Sequence, residues 1–511
     1  MNIGSILSRQ ARYRPNHVAL VFDEERLSYQ AFNARVNRLA NGLLAGGIAK
    51  GDKIATILPN CLELLEIYWA VAKIGAVVVP LSPLLRGQGL TTLLNDSDTV
   101  LLVSNGAFVE ILDAIKAALP AMAADRYFLT DESTATGYRG YQELMASSAA
   151  EPAVGHIDAD DMYNIIYSSG TTGLPKGIVH THFIRAMYGM SFATSFRVLP
   201  ESVVLHTGSL VYNGAFLTML MSFFVGATYV VHRQFTPDAF INAVAQEGVT
   251  HTMLVPAQIV AILHDPAFSA AALESLEMLC TVGAPLHETH KVAINERLPG
   301  RFYELYGCTE GFGTILDKHD YMAKPGSVGS PAPYYEMRIL NEQGADLPAH
   351  EVGEIVGRSP IMMPGYYKQP ELTAATLVDG WLHTGDLGYV DEAGFLYLVD
   401  RKKDMIISGG VNVYPKDIEE IVVQHPSVRE AAVFGIPSAQ WGETPLAAVI
   451  LTQANGVTAA ELRAWVNQRV AARYQRLHDV VILDEFPRSV IGKTLKRVLR
   501  EPYWAEQGKR I

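Results

Sequence analysis

Hydrophobic positions alternate along the first 400 residues between short apolar runs and helical periodicity. Tyr29–Leu44 has apolar residues at helical spacing, and Lys53–Ile57 begins a strand-like run. Leu62–Ile74 is again helical, and the compact apolar run Ala76–Pro80 follows it. The alternation continues with strands expected at Val203–Leu205, Thr228–Val231, Thr252–Val255 and Met278–Val282. Strands that alternate with helices predict parallel sheets covered by helices on both faces.

The pattern changes after about residue 325 to short β-like pieces separated by Gly and Pro, which predict a small β-subdomain. The pieces are Met337–Leu340, Gly353–Gly357, Leu387–Val390 and Phe395–Val399. Beyond the polar run Asp400–Asp404, helices are expected at Pro415–Gln424 and Ala459–Ala472, and strands at Ala431–Ile436, Ala447–Leu451 and Val480–Leu483. We therefore predict an α/β protein with a large N-terminal domain, residues 1–400, and a small α+β C-terminal domain, residues 401–511.

Composition and charge narrow the class of protein. A chain of 511 residues exceeds what one core usually organises, and its net charge of −12 argues against a general nucleic-acid binder. Cys61, Cys280 and Cys308 are too widely spaced for a disulfide scaffold or a zinc site, which favours a reducing compartment. The N-terminus carries arginines without an apolar signal core, so we expect a cytoplasmic protein.

The segment Leu210–Val231 has 22 residues and no charge, which meets the length criterion for a membrane span. It contains polar residues and glycines, among them Asn213 and Gly226. We interpret it as a buried segment of a large α/β domain, and we expect no integral membrane segment.

The stretch Tyr167–Gly177, YSSGTTGLPKG, combines three glycines, four hydroxyl side chains and Lys176. Glycines let backbone N–H groups approach an anion, and hydroxyls and a lysine add donors and charge, so phosphate is the expected ligand. The stretch lacks the ending of a Walker A motif, and the sequence IGKT at Ile491–Thr494 has Pro487 where that motif needs glycine. A serine nucleophile at Ser168 or Ser169 is disfavoured because neither lies in a G-x-S-x-G elbow.

A hairpin with its turn at Asp391–Gly394 would place residue 386 roughly opposite residue 399. Asp386 and Arg401 then lie at the same open end of the hairpin. A carboxylate and a guanidinium there could hold a diol such as a ribose, or they could form a structural salt bridge, and the spacing leaves both open.

The chain resembles the adenylate-forming superfamily, which includes acyl-CoA synthetases, luciferases and the adenylation domains of peptide synthetases. The resemblance covers essentially the whole chain and lies in five ordered motifs. They are the Gly-rich stretch at 167–177, YGCTE at Tyr306–Glu310, WLHTGD at Trp381–Asp386, DRKKDMIISGGVNVYP at Asp400–Pro415 and PRSVIGKTLKRVLR at Pro487–Arg500. The fourth motif is most similar to medium- and long-chain or aryl acyl-CoA ligases. The resemblance implies Rossmann-like parallel-sheet subdomains, a β-subdomain and a mobile C-terminal domain.

The activity that this resemblance implies has two half-reactions, with ATP, Mg²⁺ and coenzyme A as partners. A carboxylate attacks the α-phosphate of ATP to give acyl-adenylate and pyrophosphate, and the coenzyme A thiol then attacks the acyl carbonyl and releases AMP. Both steps build negative charge, so placed cations and hydrogen-bond donors should supply much of the catalysis.

The resemblance also implies residue roles in the nucleotide site. Phosphates would be held by Ser168, Ser169, Gly170, Thr171, Thr172, Gly173 and Lys176. Tyr306 would pack on adenine beside Gly307, Gly283, Ala284 and Pro285, Thr309 would donate to the α-phosphate, Glu310 would hold Mg²⁺, and Asp386 and Arg401 would bind the ribose. Lys493 would stabilise the transition state at the α-phosphate.

The remaining implied roles concern the C-terminal domain. Lys403 would be the hinge for a domain rotation between the half-reactions, after which Ser408, Gly409 and Gly410 would leave space for the pantetheine arm. Trp441 would contact the coenzyme's nucleotide or be buried. The five basic residues between Arg488 and Arg500 would attract ATP or coenzyme A phosphates; a nucleic-acid patch is the less favoured explanation.

The acyl pocket is expected, by position in the motifs, at Leu210–Gly214 and Gly283–Leu286, with Cys308 and Gly311–Gly313 opposite. Its lining would include Tyr212, Asn213, Gly214, Cys308, Gly311 and Phe312. The glycines remove bulk and favour an open slot for an alkyl chain or a flat ring. Many relatives have histidine at the place of Tyr212, and amino-acid-activating relatives have aspartate at the place of Asn213, so an α-amino acid is disfavoured.

The same motifs allow other interpretations of the function. A stand-alone adenylating enzyme would pass the acyl group to a carrier protein instead of coenzyme A. A catalytically silent nucleotide-binding protein is disfavoured by the intact set Lys493, Glu310 and Asp386, and nothing indicates a luciferase-type oxygenation. The stretch RYQRL at Arg473–Leu477 departs from the lysine and proline of relatives, so phosphate roles are not transferred to it. The sequence leaves a homo-oligomer open.

Overall fold

The computed structural model describes residues 2–168, 176–409, 411–453, 456–488 and 494–505. Its α-helices are α1 (Gly4–Tyr13), α2 (Tyr29–Ala45), α3 (Leu62–Ile74), α4 (Gly87–Asp96), α5 (Val109–Asp113), α6 (His182–Ser195), α7 (Asn213–Val225), α8 (Pro237–Glu247), α9 (Pro256–His264), α10 (Glu288–Arg297), α11 (Pro370–Thr376), α12 (Pro415–Val422), α13 (Ala459–Asn467) and α14 (Lys496–Ala505).

The strands are β1 (Val18–Phe22), β2 (Glu25–Ser28), β3 (Lys53–Ile57), β4 (Val77–Leu81), β5 (Thr99–Ser104), β6 (Tyr127–Leu129), β7 (Arg139–Gly140), β8 (Met162–Ser168), β9 (Lys176–Thr181), β10 (Val203–His206), β11 (Thr228–Val231), β12 (His251–Leu254), β13 (Met278–Val282), β14 (Phe302–Cys308), β15 (Phe312–Leu316), β16 (Ser330–Pro331), β17 (Glu336–Leu340), β18 (Gly353–Arg358), β19 (Leu377–Val378), β20 (Trp381–Val390), β21 (Leu396–Arg401), β22 (Ile406–Ser408), β23 (Val411–Val413), β24 (Val428–Ser438), β25 (Gly442–Leu451) and β26 (Asp479–Ile482).

The chain divides into two compact units. The first contains Met1–Ala323, Pro331–Glu336 and Arg358–Leu382, and the second contains Lys324–Ser330, Met337–Gly357 and His383–Ile511. The predicted fold class, α/β with a large N-terminal and a small C-terminal part, is confirmed. The domain limit at 400/401 stays a prediction, and internal contacts group most of the predicted β-subdomain with the C-terminal residues.

Two parallel sheets organise the first unit. One has the order β7-β6-β5-β3-β4-β8-β9, and the other has the order β16-β15-β14-β13-β12-β10-β11-β1-β2. Antiparallel strands lie at the edges, where β9 pairs with β8, β2 with β1 and β15 with β14. The strands between them are parallel and almost wholly buried, because helices cover a parallel sheet on both faces.

Local sequence sets the ends of several helices. The Thr236 hydroxyl accepts a hydrogen bond from Ala239 N, Pro237 occupies the first turn, and α8 ends at Gly248 with φ of 64°. α3 likewise ends at Gly75, with φ of 72°. These positive φ values favour glycine, and α3 ends where the sequence predicts.

The apolar segment 210–231 forms α7 and β11 inside the first unit, as expected for a core segment. Every residue of α7 from Ala215 to Phe223 is buried, and β11 pairs with β10 and β1 inside its sheet. In the part of the chain that the structure covers, no helix has the length and apolarity to cross a membrane.

The second unit contains a sheet of order β23-β22-β25-β24, with β26 paired in parallel to β25. α12 buries Ile418 and Val422 in a core with Val433 and Val449. A second sheet in this unit has the order β17-β18-β20, with β21 also paired to β20.

The helix predicted at Ala459–Ala472 ends earlier than expected. α13 stops at Asn467, whose side chain donates to Leu477 O at 3.0 Å and accepts from Leu477 N at 2.7 Å. This two-point bond mimics a backbone pair and turns the chain toward β26. The apolar pattern continues past Asn467 because Val470, although it lies beyond the helix, also packs against this core.

Candidate functional site

The ends of the Gly-rich stretch are held together by antiparallel pairing of β8 with β9. Ser168 lies opposite Lys176, and Tyr167 lies opposite Gly177. Five predicted phosphate contacts, Ser169, Gly170, Thr171, Thr172 and Gly173, fall outside the described residues. The pairing fixes where this stretch leaves and re-enters the sheet.

Tyr366 connects two of the predicted phosphate and metal residues. The Lys176 Nζ lies 5.2 Å from the centre of its ring, and its hydroxyl donates to Glu310 Oε1 at 2.9 Å. Burial, followed by the charge of Glu310, raises the pKa of Tyr366, so the hydroxyl keeps its proton. An ammonium and a carboxylate from distant parts of the sequence are therefore placed around one tyrosine.

Tyr366 was not predicted from the sequence. It belongs to a Gly- and Pro-containing segment whose backbone lies along β9, where Tyr367 N donates to Gly177 O at 2.7 Å. A bridge between Ile178 and Tyr366 extends the contact. The only signal was the neighbouring glycine, Gly365, which gives no indication of the strand it meets.

The YGCTE motif forms the tip of a β-hairpin. β14 and β15 pair with Cys308 opposite Phe312, so Thr309, Glu310 and Gly311 make the turn. His180 on β9 lies beside this tip, with its Nε2 3.0 Å from Thr309 O. Burial, followed by the charge of Arg185, lowers the pKa of His180 well below its usual range, so the ring is neutral.

His180 therefore links the strand that begins at Lys176 to the residue predicted to contact the α-phosphate. His180 was not predicted from the sequence, because a lone histidine in an apolar run gives no distinct signal.

The glycines of the hairpin do not open a slot, which corrects the expectation for Gly311 and Gly313. Gly311 has φ of 113°, and a Cβ there would lie 2.1 Å from Ile361 O. A Cβ on Gly313 would lie 2.6 Å from Tyr306 O. These glycines are needed because backbone atoms approach closely.

Gly214 and Gly283 do border open space. A Cβ on Gly214 would meet nothing within 4 Å, and one on Gly283 would meet only Val255 Cγ1, at 3.8 Å. Gly283 follows β13 with φ of 89°, so a side chain is also disfavoured by its backbone conformation.

The predicted adenine residues come from neighbouring parallel strands. β13 and β14 pair with Val282 opposite Leu305. The stretch of Gly283, Ala284 and Pro285 and the pair Tyr306 and Gly307 directly follow these two positions. They therefore meet at the carboxyl edge of the sheet, where ligands of open α/β sheets usually bind.

The predicted acyl-pocket residues cluster at the start of α7 and on the β14–β15 hairpin. The Tyr212 hydroxyl donates to Ser82 Oγ at 3.3 Å, and Asn213 bonds to Arg185 and Tyr188, each at 2.9 Å. The predicted hairpin residues are Cys308 and Phe312. Phe312 is buried and Cys308 is half-buried. The Cys308 Sγ lies 3.8 Å from Phe312 O, so the thiol contacts the backbone of the facing strand in this hairpin.

In the second unit, Asp386 pairs directly with Arg401, and Arg401 Nε lies 3.4 Å from Asp386 Oδ1. The prediction that both lie at one open end of the hairpin is confirmed. The predicted register, with 386 opposite 399, is wrong by two residues. One residue comes from a longer turn, with Asp391 N donating to Phe395 O, and the other from a bulge between Leu387 and Gly388.

The predicted coenzyme A residues lie together in the second unit, apart from Gly410, which is outside the described residues. Gly409 has φ of 60° and donates from its N to Trp441 O at 2.7 Å. Ser408 pairs with Gly442 and is buried. Trp441 is 40% exposed, with the Arg473 guanidinium 6.0 Å from its ring centre, so the buried alternative for Trp441 is wrong.

Most of the basic cluster near Lys493 is engaged within the second unit. Arg488 pairs with Glu430, and Lys496 pairs with Glu419 at 2.7 Å. This engagement leaves less charge to attract phosphates than the sequence suggested. Lys493 itself lies outside the described residues.

The predicted hinge residue Lys403 is exposed on the connector between β21 and β22, and its backbone oxygen accepts from Arg500 Nη1 at 3.3 Å. The connector turns sharply, since Asp404 N and Met405 N both donate to Arg401 O.

Metal binding would depend on Glu310 and a ligand. The structure, over the residues it covers, has no group of three or more His, Cys, Asp or Glu side chains that could hold a metal ion. Glu310 offers a hard carboxylate that Tyr366 orients from one side. One carboxylate together with substrate phosphates is a common set of ligands for Mg²⁺, so the residues fit this ion.

Comparison with known proteins identifies the family of this chain. A model of the AMP-binding enzyme family matches residues 7–367, and one of the AMP-binding enzyme C-terminal domain matches residues 417–493. The chain therefore belongs to this family, the adenylate-forming superfamily.

Within the family the chain groups with the acyl-CoA ligases. It is 34% identical over 508 residues to the long-chain-fatty-acid–CoA ligase FadD13 of Mycobacterium tuberculosis, with 99% of each chain covered. It is 34% identical over 509 residues to a feruloyl-CoA synthase of an Amycolatopsis species, covering 98% of this chain and 99% of that protein. The crystal structure of ATP-bound MatB from Rhodopseudomonas palustris matches with a TM-score of 0.89 at 28% identity, covering 98% of this chain and 99% of that one.

Proposed function

We propose that the protein is an ATP-dependent acid–thiol ligase that activates a fatty or aryl carboxylic acid as acyl-AMP and transfers the acyl group to coenzyme A. The observation that carries this proposal is the grouping of Lys176, Tyr366 and Glu310 beside the paired ends of the Gly-rich stretch. A cation and an oriented carboxylate at a donor-rich loop suit a nucleotide triphosphate with its metal ion.

The first half-reaction joins the acid to the α-phosphate. Thr309, held through its carbonyl by His180, donates to the α-phosphate, and Tyr306 packs on the adenine. Glu310 would hold Mg²⁺ together with the nucleotide, and the bound ion would supply neutralisation of phosphate charge. Lys493 stabilises the negative charge that develops as the carboxylate attacks and pyrophosphate leaves.

The ribose is held by Asp386, with Arg401 in support. Their contact of 3.4 Å joins an exposed guanidinium to a mostly covered carboxylate, and an exposed ion pair contributes little to stability by itself. Stability therefore does not account for this pair, whereas ribose binding gives it a function.

The second half-reaction follows rotation of the C-terminal domain about Lys403, with Ser408, Gly409 and Gly410 next to the pantetheine arm. The exposed ring of Trp441 contacts the nucleotide of coenzyme A, supported by Arg473.

Separate assays of the two half-reactions test this division of labour. Lys493→Ala should lower pyrophosphate release by about a hundredfold or more, on the order of 3 kcal/mol in the activation barrier. It should leave thioester formation from supplied acyl-adenylate largely intact. Arg497→Ala removes a charge from the same cluster and is the control, with both steps expected to persist. Equal loss of both half-reactions in Lys493→Ala would contradict the assignment.

A further inference from the structure

Arg185 on α6 is completely buried, and the partners that the described structure gives its guanidinium are amide oxygens, not carboxylates. Its Nε donates to Asn164 Oδ1 and its Nη1 to Asn213 Oδ1, both at 2.9 Å. The rings of Tyr188 and Phe216 lie 4.7 and 4.4 Å from its guanidinium carbon. Burial lowers the pKa of Arg185 only to about 10, so the side chain stays charged at neutral pH.

The charge of Arg185 fixes the orientation of the Asn213 amide. A guanidinium can only donate, so the Asn213 atom that faces it is the carbonyl oxygen. The Asn213 Nδ2 group then faces Tyr188 and donates to its hydroxyl oxygen at 2.9 Å. Tyr188 is therefore an acceptor in this chain of bonds, and its own hydroxyl proton remains to be donated elsewhere.

No described residue accepts that proton. Tyr335 lies close enough to interact electrostatically with Tyr188, but no hydrogen bond joins the two hydroxyls in the described structure. A buried donor without an acceptor is costly and uncommon in folded proteins. Within the described residues the Tyr188 hydroxyl therefore still has one hydrogen bond to donate, which a bound substrate can accept.

The Tyr188 hydroxyl borders the predicted acyl pocket. Its partner Asn213 opens α7 beside Gly214, where the structure leaves open space. The Cys308 thiol, on the facing hairpin, interacts electrostatically with Tyr188. Burial raises the pKa of Tyr188 despite the opposing effects of the Arg185 charge and the Asn213 hydrogen bond, so the hydroxyl keeps its proton and can donate it.

We propose that Tyr188 is a specificity-determining residue that donates a hydrogen bond to a second oxygen on the acyl group of the substrate, away from the reacting carboxylate. The preferred acids carry a carbonyl or hydroxyl oxygen on their chain or ring. This proposal rests on the proposed acid-activating function, because it places Tyr188 at the pocket of that reaction. An acid without such an oxygen leaves the Tyr188 proton unpaired, and sites built around a hydrogen bond discriminate strongly against such analogues.

Binding of matched acids by isothermal titration calorimetry tests the proposal. The pairs are hexanoate with 5-oxohexanoate, phenylacetate with 4-hydroxyphenylacetate, and cinnamate with 4-hydroxycinnamate. In at least one pair, the wild-type protein should bind the oxygen-bearing member about tenfold or more tightly, and Tyr188→Phe should abolish that preference. Equal binding within all three pairs, or binding of none of the acids, would overturn the proposal.

Tyr163→Phe is the matched control. The Tyr163 hydroxyl is buried near the same Phe216 ring, but it donates to Tyr68 O at 3.2 Å and is satisfied within the fold. This variant should keep the wild-type preference. If it loses the preference as Tyr188→Phe does, the effect is structural and the assignment of Tyr188 is wrong. A preference that persists in folded Tyr188→Phe would also overturn the assignment, and if that variant fails to fold, equal binding within every pair by the wild-type protein still overturns the proposal.

Pyrophosphate release with the same acids separates the two proposals. Release with some acids but no preference within any pair contradicts only the role of Tyr188. No release with any acid, together with a binding preference that Tyr188→Phe removes, contradicts the ligase assignment and supports the binding role.

Discussion

Replacing Tyr366 by phenylalanine should raise the Mg²⁺ concentration that the reaction requires, without unfolding the protein. The change removes one hydroxyl, which donates to Glu310 Oε1 at 2.9 Å, and keeps the buried ring beside Lys176. A hydrogen bond to a charged group contributes about 1.5–3 kcal/mol, equivalent to about 10- to 100-fold. Glu310 is half-buried, so water can replace part of this bond, and we expect a value near the lower limit.

The assay is the rate of pyrophosphate release as a function of Mg²⁺ concentration at saturating ATP and acid. Tyr366→Phe should require about tenfold more Mg²⁺ for half-maximal rate, since partners that orient a metal ligand typically change affinity by 10- to 100-fold. Tyr367→Phe is the control, because the Tyr367 hydroxyl donates to Asp98 at 2.7 Å instead. An unchanged Mg²⁺ requirement in Tyr366→Phe, or the same shift in both variants, would show that the Tyr366 hydroxyl does not orient Glu310 for the metal ion.

Three further predictions concern other parts of the chain. Asp386→Asn should raise the KM for ATP by about tenfold through loss of a charged hydrogen-bond partner, and an unchanged KM would contradict a ribose role. Lys403→Pro should slow thioester formation more than pyrophosphate release, with Lys403→Ala as control, and the reverse ratio would contradict the hinge. Burial raises the pKa of Glu151, but hydrogen bonds from Asn33 and Lys73 outweigh it and lower the value to about 2. The resulting stability is present above pH 4.5, the usual pKa of glutamate, and is lost as the pH falls toward 2. The loss in urea midpoint caused by Glu151→Gln should therefore be larger at pH 6 than at pH 3, and equal losses would contradict it.

The local sequence pattern was sufficient to predict much of the parallel core. The predicted bounds of β3, β11, β13 and α3 agree with the structure. These elements have compact β-branched runs or strong helical periodicity, and their glycine boundaries act locally. Their environment reinforces the local preference, so sequence reasoning succeeds there.

Prediction failed where one distant contact decides the outcome. The side chain of Asn467 ends α13 through Leu477, ten residues away, although the apolar pattern continues. The bulge between Leu387 and Gly388 shifts the partner of Asp386, and no residue type marks it in advance.

In the candidate site, too, prediction failed where contacts between distant parts of the chain decide the structure. The sequence motifs identified Lys176 and Glu310 separately, but only the fold reveals the tyrosine between them. Gly311 shows the opposite error, since a glycine taken to open a pocket is required by the carbonyl of Ile361. Composition cannot distinguish a glycine beside empty space from one beside backbone.

The central claim, that this chain makes acyl-CoA from an acid, is tested most directly by mass spectrometry. The protein is incubated with Mg-ATP and a mixed panel of carboxylic acids, with and without coenzyme A. We expect acyl-CoA and AMP only when coenzyme A is present. Acyl-adenylate that accumulates equally with and without coenzyme A would contradict it and point to a carrier-protein acceptor, and the absence of any adenylate would contradict acid activation itself.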